Sequence, residues 1–205
     1  MAHKATTDDG TIEDAKKIAV LAAPARIEIV STLEALGGSA TVAELAEQLG
    51  RPADGLYYHL NALMRVGLIE EHATSGARRY RATTPGGQRL RLRYRPGATA
   101  NARAVGRVAA SVSRLAQRDF VRALSQADTA VEGPARELWA ARLRGWLDPA
   151  QLAEVNRLLL RLRQLFSRSR PTSTGKLIAL QWILAPINAK PARRVTPAKN
   201  ATRRR

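Results

Sequence analysis

Residues 41–84 read TVAELAEQLGRPADGLYYHLNALMRVGLIEEHATSGARRYRATT. Local signals divide this stretch into four elements. Thr41 with Glu44 three residues on forms a capping box, so a short helix is expected over residues 41–49. Gly50 ends it, because glycine takes the positive φ of a helix end without strain. Residues 52–66 form a second helix. Its Leu56, Leu60 and Leu63 stand four and three apart and share one buried face. Gly67 stops it. Residues 68–72 and 78–83 then read as short strands around the turn Thr74-Ser75-Gly76. Helix, tight turn, helix and β-hairpin make a winged helix-turn-helix, whose second helix has the form that enters a DNA major groove.

With the three leucines inward, the opposite face of the second helix carries Ala53, Asp54, Tyr57, Tyr58 and Asn61. Asn61 suits adenine, and the tyrosine hydroxyls suit phosphates or base edges. The alternative for Tyr57 and Tyr58 is packing against a neighbouring helix. Asp54 repels phosphate, so it caps the helix or selects cytosine N4, and the cap is the simpler reading. Gly55 and Ala53 let the helix approach closely. Arg51 and Arg65 flank it as phosphate contacts, and His59 reads as a half-buried packing residue. In the wing, Arg78, Arg79 and Arg81 are candidates for the minor groove or its phosphates. Alternation with Tyr80 and Ala82 puts Arg79 and Arg81 on the outer face. A merely solvated strand is the other reading.

The runs LAAPARIEIVSTL (residues 21–33), AELAEQLG and LYYHLNALMRVGLIEE resemble the ArsR-type winged helix-turn-helix regulators of bacteria. Pro24, Arg26, Ile27, Tyr58, His59, Leu60, Leu63, Gly67, Leu68 and Tyr80 occupy that pattern's places, over about residues 14–95. The resemblance implies a DNA-binding transcription regulator that pairs through its terminal helices. The thiolate metal site of such regulators would fall near residues 43–46, which carry no ligand. The chain has no cysteine and only His3, His59 and His72, so neither a metal nor any other cofactor is expected.

The rest of the composition narrows the function. Of 205 residues, 45% are hydrophobic, enough for a core, and the net charge is +17. Residues 1–95 hold 13 Lys/Arg against 11 Asp/Glu, whereas residues 96–205 hold 21 against 6. Sequence-independent attraction to phosphate is therefore expected mostly outside the recognition helix. Solubility alone is the competing account of such a surface. No apolar run approaches the ~20 residues of a membrane span, and the N-terminus lacks a signal peptide's apolar stretch, so a cytoplasmic, nucleoid-associated protein is expected. Arg far exceeds Lys and Ala is abundant, as in GC-rich bacterial genomes.

Outward from the centre, residues 1–10 read as disordered and residues 11–95 as the DNA-binding domain. Thr11 would cap a first helix running to about residue 22, with Ile18 and Leu21 facing the core or a partner subunit. Pro24 opens the next helix, with Ile27, Val30, Leu33 and Leu36 as its stripe. After the wing, Thr83-Thr84-Pro85-Gly86-Gly87 signals a helix cap, while residues 88–95 alternate as a strand does. Pro96-Gly97 marks a domain boundary. Residues 98–127 form a long helix whose Val105, Val108, Val112 and Leu115 suit dimerisation, or packing within the chain.

Residues 136–185 read as β-α-β. Residues 139–147 alternate as a strand, and a helix over residues 136–147 is the other option. Asp148-Pro149 caps a helix to about residue 166. LIALQWIL (residues 177–184) is a compact apolar strand. Trp139, Trp146 and Trp182 are expected in a core, or lining a pocket for a small apolar effector. Residues 186–205 are a basic tail. Ser173-Thr174-Gly175-Lys176 imitates a phosphate loop, but Arg170 stands where its first glycine should. No catalytic constellation is arguable. The reading is a mainly α fold with a β-wing, followed by a long dimerisation helix and an α/β unit. The partners implied are double-stranded DNA and a second copy, with no membrane. The alternative is an architectural protein that coats DNA without sequence preference.

Overall fold

The computed structural model describes residues 10–74, 76–84, 89–172 and 174–188. Residues 1–9 of the N-terminal stretch, Ser75 of the hairpin turn, Pro85-Gly86-Gly87 of the expected cap, Gln88 of the alternating run, Ser173 and residues 189–205 of the basic tail lie outside them.

The chain begins with β1 (Thr11–Ile12) and α1 (Ala15–Val20). The expected cap at Thr11 is not formed. Its backbone enters a parallel ladder with β5 (Arg91–Leu92), flanked by Arg91 N to Gly10 O at 3.1 Å and Arg93 N to Ile12 O at 2.8 Å. Asp14 takes the cap instead, its side chain accepting from Lys16 N at 2.7 Å. Burying Ile12 outweighs the local helix signal. The same ladder settles residues 91–92 as strand.

Pro24 stands at the start of α2 (Pro24–Ala35), and Gly37 and Gly38 follow it at φ 91° and 99°. Then come β2 (Ser39–Thr41), α3 (Val42–Leu49) and α4 (Asp54–Arg65). The capping box is present: Thr41 N donates to Glu44 Oε2 at 2.6 Å, and Glu44 N to Thr41 Oγ1 at 3.2 Å. Gly50 closes α3 in the left-handed region, φ 60°. Strands β3 (Ile69–Thr74) and β4 (Ala77–Ala82) form the wing hairpin. β2 adds a third antiparallel strand, in the order β2-β4-β3. Three residues carry no strand signal of their own, and their register opposite residues 79–81 is what makes them one.

A 26-residue helix, α5 (Thr99–Leu124), folds back across α1 and α2. Ile18, Leu21, Ile29, Leu33, Leu45, Leu56, Leu60, Leu63, Leu68 and Ile69 form one core, which Ala104 and Val108 of α5 complete. Each leucine, isoleucine or valine withdrawn from water contributes ~1.5–3 kcal/mol. Pro96-Gly97 is therefore a turn within a packed unit and not a break in packing. Two buried polar residues pin α5. Asn101 accepts from Arg95 N at 2.9 Å and donates to Arg93 O at 3.1 Å, and Ser111 donates to Ala22 O at 2.5 Å.

The expected β-α-β unit is only partly present. The helix forms as α6 (Pro149–Arg168), with Asp148 and Gln151 in a second capping box. Residues 139–147 and 176–188 form neither helix nor strand and join no ladder. Period-two alternation could not supply the neighbour a strand needs. Trp139, Trp146 and Trp182 stand 71%, 67% and 43% exposed, not in a core and not around an enclosed pocket.

Candidate nucleic-acid interface

α4 has two faces of opposite character. Leu56, Leu60 and Leu63 are sealed inside, and the other side shows Asp54, Tyr57, Tyr58, Asn61 and Arg65 to solvent. These five follow helical spacing and form one stripe. Tyr58 is 66% exposed, so helix packing does not account for it. A shallow open depression lies between Tyr58, Asn61, Met64 and Arg65. Ala53 is the residue before the helix, half-buried. A Cβ added at Gly55 would meet nothing within 4 Å, so the helix start is open to close approach. Asp54 does not cap α4. The turn starts on backbone bonds instead, Gly55 N to Pro52 O at 3.2 Å and Leu56 N to Ala53 O at 2.9 Å.

Behind the stripe, Arg26 Nη1 donates to Val20 O at 3.0 Å and its guanidinium lies 5.8 Å from the Tyr58 ring centroid. Tyr58 and His59 meet edge to face, centroids 5.2 Å apart. Burial, followed by the nearby positive charges of Arg26 and Arg51, pushes the His59 pKa down. A neutral His59 thus supports Tyr58 from inside, as a packing residue.

The wing differs from its sequence reading. Arg78 lies 3.5 Å from Glu71, and Arg81 pairs with Glu70. Arg79 turns to the start of α3: its guanidinium is 3.1 Å from Glu44 and donates to Ser39 Oγ and Ser39 O, each at 3.2 Å. Its side chain is only 28% exposed, so Arg79 is not on a free outer face. Alternation placed Arg79 correctly relative to Tyr80 but could not see β2 beside it. The Thr41 amide and then Arg79 hold the Glu44 pKa down. Arg78 and Arg81 remain well exposed, and pairs in water are weak enough to be exchanged for phosphate. Arg65, also exposed, has no acidic partner among the described residues.

Arg51 is tied down as well. It lies 2.8 Å from Glu28 of α2, and Arg118 of α5 reaches the same carboxylate at 2.7 Å. The hydrogen bonds that Arg118 donates to Glu28 and Asp119 push its pKa up. Glu28 is thus a bracket joining the approach to α4 with α5, a role that sequence spacing does not signal. Glu34 is the second such acid. It accepts from Leu90 N at 2.8 Å and lies 3.6 Å from Arg89, while burial pushes its pKa up. Arg89 in turn donates to Phe166 O at 2.9 Å, and Arg163 to Arg89 O at 3.1 Å, which ties α6 to the wing's exit.

The expected dimer residues are spent inside the chain. Ile18, Leu21, Val108 and Leu115 are buried, and Val105 and Val112 pack on the same core. A stripe at three-four spacing serves either purpose, and here α1 and α2 occupy it.

Among the described residues, no group of His, Cys, Asp or Glu could hold a metal ion, and no helix is long and apolar enough to cross a membrane. A search of curated proteins finds no match. Residues 21–72, from the end of α1 into the first wing strand, match the family model of a helix-turn-helix domain. The matched span holds α2, α3 and α4 with the exposed stripe, and the hairpin follows it, so the chain carries a winged helix-turn-helix domain of the DNA-binding regulator kind.

Proposed function

We propose that this chain is a sequence-reading transcriptional regulator that acts as a homodimer, resembles the ArsR type without its thiolate site, and needs no cofactor. α4 enters the major groove, with Asn61, Tyr57 and Tyr58 toward base edges and Arg65 on phosphate. Arg78 and Arg81 exchange their carboxylates for the backbone. The observation that carries this reading is the exposed polar and aromatic stripe on a helix whose other face is a sealed leucine core. The protein performs no catalysis in this account.

An architectural role is the second reading. Residues 96–205 hold 21 basic residues against 6 acidic ones, while each wing arginine is already paired with an acid. Selection from random duplex DNA at physiological salt separates the two. The regulator enriches an inverted repeat with half-sites ~10 base pairs apart, one helical turn. Binding without an enriched motif, collapsing as salt rises, would replace it with the architectural reading.

A further inference from the structure

The surface of this chain is too large for its mass. It exposes 15856 Å², against the ~9,400 Å² of a compact monomer of 22.3 kDa. Allotting each undescribed residue the ~160 Å² of a fully extended chain still leaves the rest about 2,400 Å² above a compact fold. The excess has an address. Among the described residues, all large exposed apolar side chains except Tyr57, Tyr58 and Tyr94, and Val121 and Leu124 at the end of α5, lie at or beyond Val131. α6 has no buried residue, and its Leu158, Leu162 and Leu165, on one helical face, touch no core.

Two further observations concern the backbone. Residues 139–147 and 176–188 belong to no helix or strand, and among the described residues neither segment makes a backbone–backbone hydrogen bond. Both depart from one place, where Lys176 lies 3.0 Å from Glu137. Their sequences differ in kind. LIALQWILAPI, residues 177–187, has no charged residue and shows apolar side chains on both sides, the character of a strand covered on both faces. Residues 139–147 carry Arg142 and Arg144 on one side, the character of an edge strand.

We propose that a second copy of this chain covers this surface, joining the two C-terminal halves in one shared sheet. The inference rests on the homodimer reading above and names the surface that forms the dimer, in place of α1 and α5. One chain supplies one interior strand, one edge strand and one amphipathic helix. Two copies pair these parts: residues 177–184 of each in the middle, residues 139–147 outside, and both α6 helices laid over one apolar face. A foreign protein would have to bring all of these itself. A small ligand covers too little area, and DNA has no use for an uncharged strand. An obligate homodimer buries ~1,000–2,500 Å² per copy, which matches the excess.

The test is sedimentation of the full chain with amide exchange. At micromolar concentration the wild type sediments at twice 22.3 kDa. Leu180→Asp and Ile183→Asp each raise the dimer dissociation constant about 30-fold or more, with the core's thermal unfolding retained. Val121→Asp leaves the mass unchanged. In the wild-type dimer the amides of residues 178–184 exchange slowly, a reading independent of whether any variant folds. A monomeric wild type overturns the inference. So does a dimer broken only by Val121→Asp, or one whose 178–184 amides exchange as in free chain. A dimer that passes these tests but enriches no DNA sequence would remove the regulator reading and leave the shared sheet standing.

Discussion

Residues 10–124 and residues 125–188 use the same apolar vocabulary to different ends. In the first region leucines at three-four spacing lie sealed, as at Leu56, Leu60 and Leu63. In the second, Leu158, Leu162 and Leu165 keep the same spacing and stay in water. Amphipathic pattern tells which face wants cover. It does not tell whether the cover comes from the same chain.

Substitutions that treat the regions alike sharpen this contrast. Leu60→Ala leaves a cavity in the core and should cost ~2–5 kcal/mol at any protein concentration, by denaturant titration. An effect that shrinks as concentration rises would tie the core to assembly as well. Next come the two capping boxes. Thr41→Ala should cost ~1 kcal/mol of cooperative unfolding, because α3 belongs to the core. Asp148→Ala, at the matching position of α6, should lower helical circular dichroism while leaving the midpoint of core unfolding in place. A shared shift would show that the two regions melt together.

A smaller effect comes from His59. Its folded pKa lies below the unfolded 6.5, so the unfolded chain binds the proton more readily. Stability should be complete above pH 6.5 and decline as pH falls below it. Melts from pH 8 to pH 5 should show a shallower decline for His59→Gln. An unchanged slope would mean that the decline belongs to other groups. The smallest effect separates the wing arginines. Arg78→Ala should weaken binding to every duplex and flatten the salt dependence by about one counterion, without touching stability. Arg79→Ala should act mainly on stability, through Ser39 and Glu44. Equal losses of affinity would return Arg79 to the DNA surface.

What the sequence made legible follows the range of each interaction. Thr41 and Glu44, Pro24, Gly50 and Gly67 act within a few residues, and each did what its type requires. Tyr80 and its alternating neighbours were legible for the same reason. Pairings across long separations were not. β1 and β5 are two residues each, some eighty positions apart, and no local signal distinguishes them. Glu70 and Glu71 stand in plain view on the neighbouring strand, yet their hold on Arg81 and Arg78 needs the β3-β4 register. Spacing gave the apolar stripe of α5 but could not choose between α1 and a second copy. The α4 stripe emerged almost whole, because a helix face is a local property.

Glu28 serves Arg51 and Arg118 at once, so the two cations share one anion. Whatever draws Arg51 toward a phosphate leaves Glu28 wholly to Arg118 and tightens α5 on α2. Reciprocity then requires the converse by the same factor: loosening Arg118 makes Arg51 harder to draw away. The long helix and the approach to the recognition helix are in this sense joint tenants of a single charge. A double-mutant cycle over Arg51 and Arg118, read in DNA affinity, measures the coupling, and simple additivity would show that there is none.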